Sequence, residues 1–379
     1  MDTLQNKRRE KVVVDERGMM DLPFLVLTVL LTAIGLIMMF SASYARAYAD
    51  EGNSTYYFAR QAMFAAVGIV ALLLITRLDY HMWRMLMLPM LGVSVLLLLL
   101  VLLMGSSGGG ATRWIILFGI RFQPSEVAKL AMIVAFATLI SSYGNKMQTF
   151  RYGVLPFAVV LGTIVILLAL EPHLSAIVIV GAIGAVMMFM GGTKLRWFAL
   201  LATAAAVFGV IYLSVKGYAL ERLLTWRDPF SDPSDSGYQT IQSLYAIGSG
   251  GLFGLGLGKG RQKYLYLPEE HNDYIFAIVC EELGLIGALM ILLLFAMLII
   301  RGFWLAMHAR DRFGAMLIAG IMTKLALQVF FNIGVVTNLL PATGIALPFF
   351  SYGGTALMLN LFEMGMVLQV SRQNNNKLL

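Results

Sequence analysis

The sequence predicts an all-α membrane protein of about ten transmembrane helices, and three observations carry that prediction. Charged residues make up only 13% of the 379 residues, against roughly 25% in a soluble domain. Hydrophobic residues make up 59% and gather into runs long enough to cross a bilayer. These runs are too long and too continuously apolar for barrel strands. Lipid offers no partner to open backbone groups, so each run must close its own hydrogen bonds as a helix.

Taken in order, the spans fall at about 22–45, 58–76, 83–104, 125–142, 153–170, 174–191, 197–215, 274–300, 313–336 and 350–370. Lys7, Arg8, Arg9, Lys11 and Arg17 precede the first and place the N-terminus inside. Alternate loops agree: Arg77 and Arg84, Lys146 and Arg151, Lys194 and Arg196, then Arg301, Arg310 and Arg312. Arg372 and Lys377 put the C-terminus inside too. The expected organisation is a cytoplasmic tail over 1–21, one membrane domain over 22–370 and a cytoplasmic tail over 371–379. Some twenty polar residues before a span-length run argue against a cleaved signal peptide.

The net charge of +7 is explained by this cytoplasmic bias and not by nucleic acid. The single cysteine, Cys280, can form no internal disulfide and no metal cluster. There is no internal repeat, low-complexity tract or separate soluble domain.

One outer loop is very long, residues 216–273. Long loops cross regardless of their charge, and loops of this length are usually functional or disordered. Its apolar and aromatic pieces, YALERLLTW and YQTIQSLYAI, read as short surface helices, so partial order is expected.

That loop ends in the most informative stretch of the chain. Glycines at 248, 250, 251, 254, 256, 258 and 260 lead into Lys259, Arg261 and Lys263 with Tyr264 and Tyr266, then into His271, Asn272 and Asp273 at the lip of the eighth span. Asp273 reads two ways: as a helix N-cap, or as a general base or metal ligand at the outer face. The two are compatible, because a helix N-terminus also stabilises the ionised carboxylate. The glycines do not make a Walker loop, since Gly260 follows Lys259 where Ser or Thr belongs. A flexible lid or close backbone packing suits them. Lys259, Arg261 and Lys263 fit a pyrophosphate or sugar, or lipid head groups.

A second constellation runs Arg113-Trp114, Arg121-Phe122-Gln123-Pro124-Ser125-Glu126, then Lys129. Pro124, Ser125 and Glu126 suit a helix start. Glu126 and Lys129 share one helical face just inside the bilayer, either as a self-satisfied ion pair or facing a cavity. Arg113 and Arg121 lie on the same outer side as Asp273, and two guanidiniums suit a diphosphate.

In the ninth span Lys324, Gln328 and Asn332 recur every four residues as one polar stripe. Glu363, three after Asn360 in the tenth span, is placed to neutralise Lys324, and Glu281 and Glu282 are further membrane acids. Such groups bond between helices or line a cavity. The segment from Pro341 to Thr355, with Ser351 in it, is uncharged and full of helix breakers. Non-helical backbone at this depth is buried or lines a cavity, as a re-entrant wall for a lipid-linked substrate would.

Together these residues resemble the SEDS family (shape, elongation, division and sporulation) over nearly the whole chain, slightly more in its FtsW/SpoVE form than in its RodA form. The resemblance rests on Ser41-Ala42-Ser43, the Arg121–Lys129 segment, and Arg222 with Pro229 and Gly237-Tyr238-Gln239. It continues through Gly248–Gly254, Leu267-Pro268-Glu269 with Asp273, Glu281-Glu282-Leu283-Gly284, and Pro341–Thr355. It implies a peptidoglycan glycosyltransferase that polymerises lipid II at the outer face of the bacterial cytoplasmic membrane, in cell division or shape maintenance. It places Asp273 as the catalytic acid and ties Arg121, Gln123, Glu126 and Lys129 to substrate. It also implies a single-span class B penicillin-binding protein as partner, beside other division or elongation proteins. One departure stands out: where the family often has Pro-Asp-x-Gly, this chain has Pro172-His173-Leu174-Ser175, so no catalytic role is expected there.

On that basis the acceptor's 4-hydroxyl loses its proton to Asp273 and attacks the donor's anomeric carbon with inversion, and polyprenyl diphosphate leaves. Arg113, Arg121 and Lys129 are expected to stabilise the leaving group. Mg or Mn held at Asp273 would add to that field, and no organic cofactor is called for. Two rivals are a lipid II transporter, in which Lys324 and Glu363 line a path, and a scaffold that only recruits a synthase. Paired broken helices in matching halves, the usual mark of a secondary transporter, are not seen.

Overall fold

A computed structural model describes residues 18–108, 111–117, 120–215, 225–233 and 237–374. The basic residues of the N-terminal tail, Arg222 and Lys377 lie outside that set, as does most of the YALERLLTW segment.

The first helix, α1 (Leu22–Glu51), shows how sequence sets a boundary. The Asp21 side chain accepts the Phe24 N–H at 2.9 Å, Pro23 sits in the first turn, and Gly52 ends the helix at φ 66°. Arg301 donates to both Asp21 oxygens, at 3.1 and 2.5 Å, so the same cap ties α1 to a distant helix. Then follow α2 (Tyr56–Ile75), α3 (Met87–Met104), α4 (Pro124–Tyr143), α5 (Leu155–Leu170), α6 (Leu174–Met190) and α7 (Leu195–Val215). In the long loop lies α8 (Tyr238–Gly250), followed by α9 (Ile275–Met307), α10 (Arg312–Val336) and α11 (Gly354–Asn374).

Seven helices among the described residues are long and apolar enough to cross a membrane. Helix α6 and the Leu195–Gly209 stretch of α7 are apolar but shorter, and α11 carries Asn360, Glu363 and Gln369. Composition and length alone thus support seven crossings where the sequence leads one to expect about ten. Two spans stand apart: 72% of the apolar window of α10 and 67% of that of α4 are buried, against 39% or less in the rest. They form the centre of the bundle, and any charge on them must find a protein partner.

Three features depart from the expectation. The all-α description holds for the bundle, but an antiparallel ribbon of β1 (Ser106–Gly108), β2 (Ala111–Leu117) and β3 (Ile120–Phe122) joins α3 to α4. The β-branched and aromatic residues of 112–116 favour a strand where no span was expected. The last span begins at Gly354, because residues 341–353 stay non-helical. The eighth is broken: Gly284 sits at φ 67°, ψ −173° inside α9.

The break is repaired by the glycine-rich loop. Leu255 and Gly256 N–H groups donate to the Glu281 and Glu282 carbonyls at 3.0 Å. Leu285 and Ile286 N–H groups donate back to the Gly251 and Leu252 carbonyls at 2.9 and 3.2 Å. The backbone groups freed by the kink are thereby satisfied within the protein, as a buried break requires. Only glycine fits here, since a Cβ on Gly284 would stand 2.3 Å from the Gly254 nitrogen. Of the two roles open to the glycines, close backbone packing is the one the fold uses.

Candidate active site

Asp273 lies half-buried in the turn just before α9, at one end of the bundle. The residue in the N-cap position is Tyr274, so Asp273 is set one residue outside the helix. Three consecutive carbonyls of this turn are held by another part of the chain. The Tyr352 N–H donates to the His271 carbonyl at 2.8 Å. The Ser351 hydroxyl donates to the Asn272 carbonyl at 2.7 Å. Asn332 Nδ2 donates to the Asp273 carbonyl at 2.7 Å and to the Ile345 carbonyl at 2.7 Å. The wall facing the carboxylate is Gly344, at φ 69°, where a Cβ would stand 3.1 Å from Asp273 Oδ2. The re-entrant reading of 341–353 therefore places the segment well.

Behind the acid, Glu270 is fully buried and takes a forked pair from Arg46 on α1, at 3.2 and 3.4 Å. Burial works to raise the Glu270 carboxyl, but the His271 ring and Arg46 outweigh it and hold it below the usual carboxylate range. His271 stacks on Tyr57, ring centres 5.0 Å apart. These contacts brace the turn against α1 and α2.

The expected cations are redistributed. The strand pairing sets Ile116 opposite Arg121. The β1–β2 register shifts at Arg113, with Ser106 pairing Trp114 and Ser107 pairing Thr112, so Arg113 is the extra residue of a bulge. Arg113 Nη2 donates to the Pro172 carbonyl at 3.3 Å, whereas Arg121 is exposed. Gln123 is half-buried at the entry to α4.

Lys129 is also withdrawn from an open site. It is 3% exposed and donates to Glu126 Oε1 at 2.5 Å. Lys324 reaches Glu126 Oε2 at 3.3 Å, Glu363 Oε1 at 2.7 Å and Asn360 Oδ1 at 3.3 Å. Two acids and two amines thus neutralise one another between α4, α10 and α11, and Glu363 does neutralise Lys324. Lys263 is likewise 3% exposed: its ammonium donates to Glu282 at 2.7 Å and to the Ser41 hydroxyl at 3.1 Å. It serves as a structural cation. Ser351 has both of its bonds inside the protein, to Asn272 and from the Leu347 N–H at 2.7 Å, so its hydroxyl holds backbone. Lys259 and Arg261 remain exposed on the loop.

Sequence reasoning left Glu281 and Glu282 as unplaced membrane acids. They are the loop's foundation: Glu281 accepts the Arg261 and Gln262 N–H groups at 2.7 and 3.2 Å, and Glu282 accepts those of Gly258 and Gly260 at 3.0 and 3.4 Å. Two adjacent buried acids beside a glycine-rich run with bare N–H groups were the available signal.

Just before α6, Glu171 is buried, and burial lifts its carboxyl to about 8 against the pull of Arg113. Burial, with Arg113 and Lys129 adding, lowers His173 to about 3. Ser175 donates to the Thr343 carbonyl of the re-entrant segment.

The family profile described as Cell cycle protein, FTSW_RODA_SPOVE, matches residues 21–376. The chain belongs to the FtsW/RodA/SpoVE family. A "Probable peptidoglycan glycosyltransferase FtsW" of Geobacter sulfurreducens is 40% identical over 355 residues, covering 93% of this chain and 95% of the relative. Stage V sporulation protein E of Bacillus subtilis is 40% identical over 354 residues, covering 93% and 97%. Among solved structures, a chain described under structural coordination of polymerization and crosslinking by a peptidoglycan synthase complex superposes with a TM-score of 0.79. It has 29% identity, with 94% of this chain and 99% of that one covered. The rod shape determining protein RodA of Thermus thermophilus follows at a TM-score of 0.70, 28% identity, and 94% and 98% coverage. The family membership fits a helical membrane bundle, and the relatives lean to the FtsW and SpoVE forms.

Proposed function

We propose that this chain is a peptidoglycan glycosyltransferase that polymerises lipid II at the outer face of a bacterial cytoplasmic membrane. One observation carries the reading: a half-buried carboxylate, Asp273, is fixed by its backbone at the rim of the bundle and faces a re-entrant wall. Relatives that match nearly end to end bear the name of that activity. The orientation follows from the basic inner loops, which put Asp273 outside, and about ten crossings follow from the apolar runs.

Asp273 takes the proton of the acceptor sugar's 4-hydroxyl as that oxygen attacks the anomeric carbon of the lipid-linked donor. The configuration inverts, and polyprenyl diphosphate leaves. General-base help of this kind is worth about 10²–10⁴-fold. Among the proposed cations, Arg121 is exposed on the outer ribbon and Lys259 and Arg261 on the loop, while Lys129 and Lys263 are occupied by acids. No group of three His, Cys, Asp or Glu among the described residues is arranged to hold a metal. The residues therefore fit a divalent cation in one mode, with Asp273 as a single protein ligand and substrate phosphates as the rest. Such an ion would supply charge stabilisation for the leaving diphosphate.

Membership of a peptidoglycan synthase complex, stated of a structural neighbour, supports a class B penicillin-binding protein as partner. The test is polymerisation of purified lipid II by the chain, with and without that partner, comparing the parent with Asp273→Ala and Asp273→Asn. Loss of polymer in both variants, with folding and partner binding intact, is expected. Near-normal polymer from either would end the general-base assignment.

A further inference from the structure

Building on the assignment of Asp273 as the base, we infer that Asn332 and Ser351 are positioning residues that fix its carboxylate through the backbone. The turn before α9 closes through the Glu269 carbonyl, which accepts the Asn272 and Tyr274 N–H groups at 3.0 and 3.3 Å, but its own carbonyls are held from elsewhere. The carbonyls of His271, Asn272 and Asp273 are turned away from the helix and each accepts from outside the turn, two of them from side chains. Both side chains have their orientation decided. The Ser351 oxygen accepts the Leu347 N–H, so its single proton is committed to Asn272. Asn332 is 1% exposed and spends one amide group on two carbonyls at 2.7 Å.

Those two carbonyls lie on facing segments. One belongs to Asp273 and the other to Ile345, next to Gly344, which faces the Asp273 carboxylate. A single NH₂ group therefore sets the gap between the base and the wall across from it. Asn332 stands on α10, the most buried of the candidate spans, so the reference point is rigid. Neither side chain is placed to touch the reacting atoms, and each works through Asp273. Proton abstraction depends steeply on such placement, since an error of about 1 Å can cost roughly 10²-fold.

The experiment uses the full chain with its partner, purified lipid II as substrate, and the variants Asn332→Leu, Ser351→Ala and Ser351→Thr. The expected result is a fall in kcat of about 10–100-fold for Asn332→Leu and several-fold for Ser351→Ala, with KM within about twofold. The acid limb of the kcat–pH profile moves in Asn332→Leu. Ser351→Thr, which keeps the hydroxyl, recovers to within about threefold of the parent. A parent-like kcat in both Asn332→Leu and Ser351→Ala overturns the inference, as does a Ser351→Thr as slow as Ser351→Ala. Should Asn332→Leu fail to accumulate as folded protein, the Ser351 pair decides alone. An active Asp273→Asn ends the parent reading, whereas an inactive Asp273→Asn beside fully active Asn332→Leu and Ser351→Ala ends only this one.

Discussion

Removing the acid and removing the amine of the Lys263–Glu282 pair should have unequal effects. The Glu282 carboxylate is held by Lys263 at 2.7 Å, by the Ser41 hydroxyl at 2.7–2.8 Å, and by the Gly258 and Gly260 N–H groups. Lys263, by contrast, has Glu282 and one hydroxyl oxygen. Glu282→Gln leaves a buried ammonium without a counter-charge, which costs about 3–5 kcal/mol. Lys263→Met leaves the carboxylate with three donors and removes one charged hydrogen bond, at about 1.5–3 kcal/mol. The double variant should cost less than the sum of the singles, because the stranded ammonium is gone. Thermal unfolding in lipid nanodiscs, with limited proteolysis of residues 251–263, reads all three. Equal losses from the two single variants, or a strictly additive double, would refute the reasoning.

Gly284→Ala should prevent the loop from seating on α9, because its Cβ meets the Gly254 nitrogen at 2.3 Å; size-exclusion recovery and loop proteolysis report it. Lys324→Ala leaves Glu126 and Glu363 buried with Lys129 as their cation, so a loss of about 3–5 kcal/mol is expected, measured as folded yield in detergent. Glu171 sits at about 8 in the folded chain, above its ordinary value of 4.5. Its contribution is therefore present below about 4.5 and is lost as pH rises toward 8. His173, lowered to about 3 from 6.5, contributes above 6.5 and loses that as pH falls. Between pH 6.5 and 8 the first effect acts alone, so the parent should lose melting temperature relative to Glu171→Gln over that interval. Parallel curves would contradict it.

What the sequence made legible was local. Apolar runs gave the helices, and the breakers from Pro341 onward gave the non-helical segment before the last one. Asp273 could be placed at the rim because a loop ends and a span begins there. The rest depended on partners far away in the chain. Nothing beside Lys263 tells that Glu282 will meet it, nor does the spacing of Arg113 and Arg121 say that Arg113 will reach the Pro172 carbonyl 59 residues away. Ser351, in an uncharged segment full of helix breakers, looked like a ligand contact, whereas its hydroxyl is spent on a carbonyl 79 residues away. The break at Gly284 was hidden because the apolar run on either side of Glu281 and Glu282 records lipid exposure but not backbone angle.

That break also separates two mechanical duties. The length of α9 beyond Gly284 presents Leu285, Leu289, Met290 and Leu293 outward, where hydrocarbon would wet them, and a shaft of this kind tilts to suit a thicker or thinner bilayer. The short piece before it, Ile275–Leu283, is bonded sideways to the loop and, through Asp273, to the bundle's innermost helix. Leu285 and Ile286, just past the break, are bonded to the same loop, so one loop clasps both pieces and ties the station of the carboxylate to the membrane shaft.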